Sequence, residues 1–480
     1  MLLGALLVSA FAPFHLWPLA ILVPALLFWL VRHEESPRRL FLLGWLFGCG
    51  YFGGGVYWIY NSLHDFGNAP PAFAAFLTAL LAMYLALMPA LVLLCWRYAR
   101  ACFGPRGIWL LAPAWFGLEW FKGWFLTGMP WLSLGYSQTA SPLAGYAPLI
   151  GVYGIGALCV LMAVCLVVSA ERRRALPIVV LLALPCAGYL LHQVDWTEPV
   201  ERPLRVTMVQ GNIPQQLKWR SDQFGNIFNT YWRETRRHDD SDLVVWPETA
   251  LPGHSQQIGE TLLPVLQEHA LEQGAAILSG LIYIDPQSDE VYNSVMLFGR
   301  DTGLYHKRHL VVFGEYYPMR WLLDLFRGLI DIPYSDLAHG PDEQAPLRVG
   351  EHSLGVSICW EDVFSRAILR DLPRASLLVN VSNDAWFGNS TAPHQHLQIA
   401  QMRSLETGRV MIRATNTGVS AFIDHKGRVL GIIDQFRTAS LTEEVQGRTG
   451  ETPFYYFARV QWLFALLPAF LLFYRYLRRD

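Results

Sequence analysis

Charge is scarce in this sequence. Only 16% of its 480 residues are Asp, Glu, Lys or Arg, against roughly 25% in an ordinary soluble domain. That shortfall argues against a wholly soluble protein. With 53% hydrophobic residues it also excludes a disordered or fibrous one. Acid and base nearly cancel, 39 against 37 for a net charge of −2, so no nucleic-acid partner is expected. No Lys or Arg precedes Arg32, which leaves an N-terminal signal peptide without its basic region. The stretches 61–70 and 127–146 also lack Lys and Arg. Cysteine is sparse where a disulfide would matter: of seven, only Cys359 falls within 194–458, so that region has no internal disulfide.

What is present is distributed unevenly. Residues 1–193 are nearly continuous apolar runs, 194–458 read like a soluble α/β domain, and 459–475 turn apolar again. A membrane crossing takes about 20 apolar residues. Eight candidate spans lie near 1–13, 16–31, 40–60, 72–96, 108–126, 147–169, 177–193 and 459–475, the first being short for a crossing. Arginines cluster at Arg32/Arg38/Arg39, Arg97/Arg100/Arg106, Arg172/Arg173/Arg174 and Arg475/Arg478/Arg479, each pair of clusters separated by two spans. The positive-inside rule then closes. Basic loops and both termini are cytoplasmic, and 194–458 is delivered to the opposite side. The predicted organisation is helices 1–7 over 1–193, an external domain over 194–458, and helix 8 with a cytoplasmic tail over 459–480. Within the fifth span, Glu119 and Lys122 at i, i+3 are read as a mutually paired couple, with a functional role as the alternative. The glycines between Gly44 and Gly55 are expected to allow close helix packing.

Within 194–458, strand patterns at 204–210, 242–248, 275–284, 291–298, 353–358 and 375–384 alternate with helical periodicity near 221–238, 257–273 and 393–408. Three further strands near 410–415, 419–424 and 428–433 have no helices between them, which predicts mixed pairing rather than a purely parallel sheet. Glu248, Lys307 and Cys359 each follow a strand, where open α/β sheets place their chemistry. A Cys at a strand-to-helix turn exposes its sulfur beside helix N–H groups that favour thiolate and oxyanion. It needs a base, for which His306, His309, His352, His394, His396 and a carboxylate all remain open. Taken singly, Glu248 reads as a turn carboxylate, Lys307 as a solvated charge and Cys359 as a buried structural thiol.

Together these residues form a pattern. WPE at 246–248, HKRHLVVFGEYYP at 306–318 and ICWED at 358–362 resemble the Glu–Lys–Cys triad of the nitrilase superfamily, and VYNS (291–294) and NVSNDAWFG (380–388) fit its flanking strands. With spans on both sides, the whole chain resembles the apolipoprotein N-acyltransferases of Gram-negative bacteria. Trp360 stands where some relatives carry Tyr. The resemblance implies an α-β-β-α sandwich attached to the membrane helices. It implies that Cys359 is the nucleophile, Glu248 the general base, and Lys307 the oxyanion holder with the backbone N–H of Trp360. Glu315 is implied as an additional active-site carboxylate and Glu361 as a further site residue, whose plainer reading is a first-turn helix carboxylate. Trp219 in QLKW is implied near an acyl pocket, with plain packing as its alternative. The implied reaction is ping-pong. A phospholipid gives its acyl chain to Cys359, and the N-terminal amine of a diacylglyceryl-modified apolipoprotein takes it. The implied setting is the inner membrane with the catalytic domain in the periplasm, the chain acting as a monomer in contact with membrane lipid and with no cofactor or metal.

Three alternatives share this sequence. The same triad serves a membrane-tethered amidase or nitrilase in which water takes the acyl group. A receptor or scaffold with an inactive nitrilase-like domain is disfavoured, because it need not retain all three residues. His394 and His396 hint at a metal, but catalytic zinc takes three protein ligands and no third is suitably spaced. The stretch 316–334 places Trp321, Leu322, Leu325, Phe326, Leu329 and Ile330 at helical spacing, which reads as an interfacial lid rather than a core helix.

Overall fold

A computed structural model of the chain describes residues 1–172, 175–238, 240–316 and 336–477. The stretch 316–334 therefore lies, from 317 on, outside the described residues, as do Arg173, Arg174, Arg478 and Arg479. The chain divides into two units. One comprises Met1–Tyr60, Ala72–Asp195 and Thr452–Asp480, and the other Asn61–Pro71 with Trp196–Glu451.

The first unit is helical, as continuous apolar sequence without strand alternation requires. Its helices include Leu2–Val8, Leu19–Val31, Pro37–Gly55, Pro71–Leu85, Leu87–Phe103, Leu111–Lys122, Ala147–Arg172, Ala175–Gln193 and Pro453–Leu477. Four helical runs among the described residues are long and apolar enough to cross a membrane, or five if the bent pair at Pro37–Phe66 counts as one. Leu19–Val31, at 13 residues, rises only about 20 Å, short of the roughly 30 Å hydrocarbon core. The glycine reading holds at two positions. A Cβ on Gly44 or Gly48 would come within 2.7 Å of the backbone of Ala90 or 2.6 Å of that of Ala86, so helices Pro37–Gly55 and Leu87–Phe103 meet through small residues. Glu119 and Lys122 are both buried and their opposite charges act on each other, while each hydrogen-bonds a backbone group in the loop that follows. Glu119 accepts from the Leu134 N–H at 2.7 Å, and Lys122 donates to the Trp131 carbonyl at 3.0 Å.

The second unit is a four-layer sandwich. In chain order its strands are β1 (Glu198–Gln210), β2 (Leu243–Val245), β3 (Leu251–His254), β4 (Ala276–Ile284), β5 (Val291–Phe298) and β6 (Gly303–His306), then β7 (Leu347–Val349), β8 (His352–Ile358), β9 (Leu377–Ser382), β10 (Met411–Thr415), β11 (Ser420–Ile423), β12 (Val429–Ile433) and β13 (Ala439–Thr449). One sheet runs β13-β1-β2-β4-β5-β6 with β3 beside β4, and the other runs β12-β11-β10-β9-β8-β7. Pairing is mixed, as expected. β1–β2–β4 and β8–β9–β10 are parallel, and antiparallel strands extend each sheet on both sides.

Apolar residues on the facing sides of both sheets, among them Val206, Val245, Leu278, Ile358, Val379 and Ile412, make one core between the sheets. The outer face of the first sheet is covered by Phe224–Thr235 and Leu263–Gln273, through Ile227, Tyr231, Leu266 and Ala270. The outer face of the second is covered by Ser365–Asp371 and Ala392–Thr407, through Ile368, Leu397 and Ala400. The central strands, covered on both sides, read as largely apolar runs for that reason. Asn61–Pro71 joins this unit. Asn61 donates to the Phe387 carbonyl at 3.1 Å, Ser62 to that of Trp386 at 2.8 Å, and Phe66 meets Trp386 edge-on.

Candidate active site

Four strand ends converge on one place. Glu248 lies three residues past β2, Lys307 and Cys359 directly follow β6 and β8, and Asn383 directly follows β9. Parallel strands feed their C-terminal ends to the same edge of a sheet, which is why residues far apart in sequence meet here.

Cys359 opens a 3-10 turn, Cys359–Val363, and is 9% exposed. Its φ is +52°, a left-handed conformation that a residue with a Cβ rarely takes. Such strain costs on the order of 1–3 kcal/mol and persists only where the surroundings impose it, typically at functional sites. Burial pushes the Cys359 thiol well above its ordinary value; the charge of Glu248 adds to this and that of Lys307 opposes it. The resting sulfur is therefore protonated, and a base must act. The charges felt by the thiol are those of Glu248, Lys307 and Asp384; none of the five candidate histidines is among them.

Glu248 is buried, and each carboxylate oxygen is engaged. Oε1 accepts from Asn293 Nδ2 at 2.8 Å and lies 3.5 Å from Lys307 Nζ, while Oε2 accepts from the Asn383 N–H at 2.8 Å. The turn carrying it lies directly on β4: a Cβ on Gly280 would stand 2.4 Å from the Thr249 nitrogen and 2.7 Å from Glu248 Cα. Lys307 is 1% exposed, with Nζ 2.8 Å from Glu315 Oε1. Burial disfavours its charge, but Glu315 and Glu248 outweigh that and hold the ammonium above its usual range. Glu315 also accepts from Asn293 at 2.9 Å and from the Val311 N–H at 2.8 Å, so Asn293 bridges the two carboxylates.

Glu361 does not point at this cluster but braces the turns that carry it. It accepts from the N–H groups of Ile358 (2.7 Å), Arg308 (2.7 Å) and His309 (3.0 Å) and from the Tyr305 hydroxyl at 3.0 Å. Its carboxylate thus pins the residues just after Lys307 to the residue just before Cys359. Burial raises its pKa against the pull of these donors and of the Lys307 charge. Trp360 is half-buried and packs edge-on against Phe364 at 5.9 Å. Trp219 is half-buried at the C-terminus of the short helix Gln215–Lys218.

That helix carries a residue the sequence did not single out. Lys218 is 2% exposed and its Nζ donates to the Glu248 carbonyl at 3.0 Å. Burial lowers the ammonium to about 8, against the charges of Glu248 and Cys359. Gln215 of the same helix accepts from Asn383 Nδ2 at 2.8 Å. Asn293 and Asn383 were visible only as parts of strand motifs; their hydrogen bonds to Glu248 cross 45 and 135 residues, and no local spacing announces them. Among the described residues, no group of three His, Cys, Asp or Glu side chains is placed to hold a metal ion. His396 instead lies between Asp362 and Asp384, with Arg413 taking the remaining carboxylate oxygens.

Comparisons with known proteins agree along the chain. The apolipoprotein N-acyltransferase N-terminal domain matches residues 3–165 and the carbon-nitrogen hydrolase family matches 205–454. The apolipoprotein N-acyltransferase of Nitrosomonas europaea is 43% identical over 98% of this chain and 95% of its own length. That of Methylococcus capsulatus is 42% identical over 94% of this chain and 90% of its own. Solved structures are more distant. The C. elegans NitFhit protein gives a TM-score of 0.42 at 15% identity, covering 55% of this chain and 65% of its own.

Proposed function

Since this chain belongs to the apolipoprotein N-acyltransferase family, we propose that it moves an acyl chain from a phospholipid to the N-terminal amine of a diacylglyceryl-modified lipoprotein through a thioester on Cys359. The observation that carries this reading is the convergence of Glu248, Lys307 and Glu315 within 2.8–3.5 Å, beside a cysteine held at positive φ.

In the first half-reaction Glu248 takes the thiol proton as sulfur attacks the ester carbonyl. Lys307 and the Trp360 N–H stabilise the tetrahedral oxyanion. The C–O bond breaks, and Glu248 returns the proton to the departing lysophospholipid oxygen. In the second, the acceptor amine attacks the thioester, Glu248 takes its proton, the C–S bond breaks, and the proton goes back to sulfur. Glu315 keeps Lys307 oriented and charged, and Asn293 and Asn383 hold Glu248 with both oxygens directed. Trp219 borders the acyl pocket.

The setting we propose is the inner membrane, with both termini cytoplasmic and the catalytic unit in the periplasm, acting as a monomer. The arginine clusters support the orientation. Membership of Asn61–Pro71 in the catalytic unit supports placing that loop on the same side as the unit. The test is Cys359→Ser with labelled phospholipid and a diacylglyceryl-cysteine peptide. Loss of transfer from a folded protein is expected; undiminished transfer would end the covalent reading.

A further inference from the structure

Behind the nucleophile turn lies a group of charges that acyl transfer does not use directly. His396, Asp362, Asp384 and Arg413 are all fully buried. His396 Nε2 lies 2.7 Å from Asp362 Oδ1, and its Nδ1 lies 3.1 Å from Asp384 Oδ1. Arg413 donates to the other oxygen of each carboxylate, at 3.3 Å for Asp362 and 2.9 Å for Asp384. The four side chains close a ring in which each aspartate gives one oxygen to the imidazole and one to the guanidinium. They come from four elements: the turn Cys359–Val363, the turn Asp384–Phe387, the helix Ala392–Thr407 and β10.

The ring holds both moving parts of the chemistry. Asp362 belongs to the Cys359 turn, and Arg413 also donates to Asn380 Oδ1, whose Nδ2 donates to the Cys359 carbonyl at 3.2 Å. On the other side, Asp384 accepts from Ser382 at 2.7 Å and directly follows Asn383, whose N–H holds Glu248 at 2.8 Å. There is no slack at this point, since a Cβ on Gly418 would stand 2.4 Å from Asp384 Oδ2.

The charge count decides the state of His396. Two aspartates and one arginine leave a net buried charge of −1, and a protonated imidazole brings it to zero. An imidazole also donates from both nitrogens only when protonated. Burial and Arg413 disfavour that form, but Asp362 and Asp384 outweigh them and raise His396 above its ordinary value. Asp384 in turn is held below its own, because Arg413 and His396 together outweigh burial. The neighbouring charges on the same helix, Arg403 and Glu406, pair with each other at 3.2 Å.

We infer that His396, as a doubly bonded imidazolium, is a positioning residue for acyl transfer: it ties the Cys359 turn to the Asn383 anchor of Glu248 and so sets the separation of nucleophile and base. This rests on the reading of Cys359 and Glu248 given above. It also gives His396 a role other than metal ligation.

The test uses the full chain in detergent with defined phospholipid and a diacylglyceryl-cysteine peptide. For His396→Gln, kcat, the peptide KM and the rate of Cys359 alkylation by iodoacetamide are measured from pH 6 to 9. Misplacing a reacting group by an ångström costs about 10²-fold. The expected result is therefore a kcat lowered about 10- to 100-fold with KM kept within roughly threefold, and alkylation slowed in parallel. A folded variant with native kcat and alkylation, even if its melting temperature falls, overturns the inference. Where His396→Gln does not fold, Asp384→Ala takes its place, because it removes the imidazole's tie to the segment that carries Asn383 and leaves Asp362 and Arg413 balanced beside a neutral imidazole. The same kcat loss is expected, and native activity there overturns the inference equally. Cys359→Ser is run alongside: if it retains transfer, the proposed function fails instead.

Discussion

Lys307 has two roles that a pair of variants separates. It neutralises Glu315 at 2.8 Å and Glu248 at 3.5 Å from a position 1% exposed, and in the proposed mechanism it supplies the cation beside the developing oxyanion. At an effective dielectric constant near 20 each contact is worth about 5 kcal/mol in gross Coulomb energy, most of it offset by desolvating the ammonium. Lys307→Met removes the cation but leaves both carboxylates buried, so the fold is expected to lose about 3–5 kcal/mol. Lys307→Met with Glu315→Gln removes one of the stranded charges. Glu248 still keeps its N–H donors Asn293 and Asn383, so at least about half of the loss is expected to return as a coupling energy. Acylation behaves otherwise. Loss of an oxyanion group costs about 10²–10³ in rate, and both variants are expected to show it in full. Stability is read by denaturation in detergent, and acylation by the rate at which Cys359 gains an acyl mass. If the double variant recovers acylation to within roughly threefold of native, Lys307 is only a counter-ion, and its catalytic role is refuted.

Other expectations follow from single contacts. Gly280→Ala forces a methyl against the backbone of Thr249 and Glu248, so acylation is expected to fall about 10²-fold while phospholipid binding persists; native turnover would show that this turn tolerates displacement. Lys218 has a folded pKa lowered to about 8 from 10.5. Below about 8 both states are protonated and the folded one bears the burial penalty; as pH rises from about 8 to 10.5 that penalty is relieved. The native protein is therefore expected to gain up to about 3 kcal/mol on Lys218→Met across that window. A stability difference that does not change with pH would mean that folding leaves the Lys218 pKa unshifted. Lys307, held above its usual range, gives no such change near neutrality; its contribution is present below the unfolded lysine pKa and is lost only as pH rises through the higher folded value.

The legible parts of the fold are those buried on both faces. VYNSVMLF and LLVNVS form β5 and β9, which are mostly buried and therefore mostly apolar, their polar members Asn293, Ser294, Asn380 and Ser382 being buried and hydrogen-bonded. β13 was missed because Glu443 interrupts the alternation of Ala439, Leu441 and Val445 with Ser440, Thr442, Glu444 and Gln446. It is a strand because β1 pairs with it over most of its length, which is a long-range fact. β7, at three residues, is too short to show any period. In the helical unit, the i, i+3 spacing of Glu119 and Lys122 suggested a mutual pair; their charges do act on each other, while the loop at 131–134 supplies backbone hydrogen-bond partners to both.

The site divides in the same way. Glu248, Lys307 and Cys359 were legible because each sits in a short local motif at a strand end. Asn293, Asn383, Lys218 and Arg413 were not, because what they do lies in contacts across the sandwich. Arg413 gave one signal that was passed over: an arginine inside the apolar run MIRAT has to be paired wherever it is buried.

The most direct measurement is intact mass spectrometry of the purified chain and its Cys359→Ser variant after incubation with phospholipid in detergent, followed by addition of a diacylglyceryl-cysteine peptide. The account predicts one acyl adduct on the native chain only, which disappears as the peptide gains the same mass. An adduct that decays to free fatty acid with the peptide unchanged would make the enzyme a hydrolase, and an adduct of equal yield on Cys359→Ser would contradict the thioester itself.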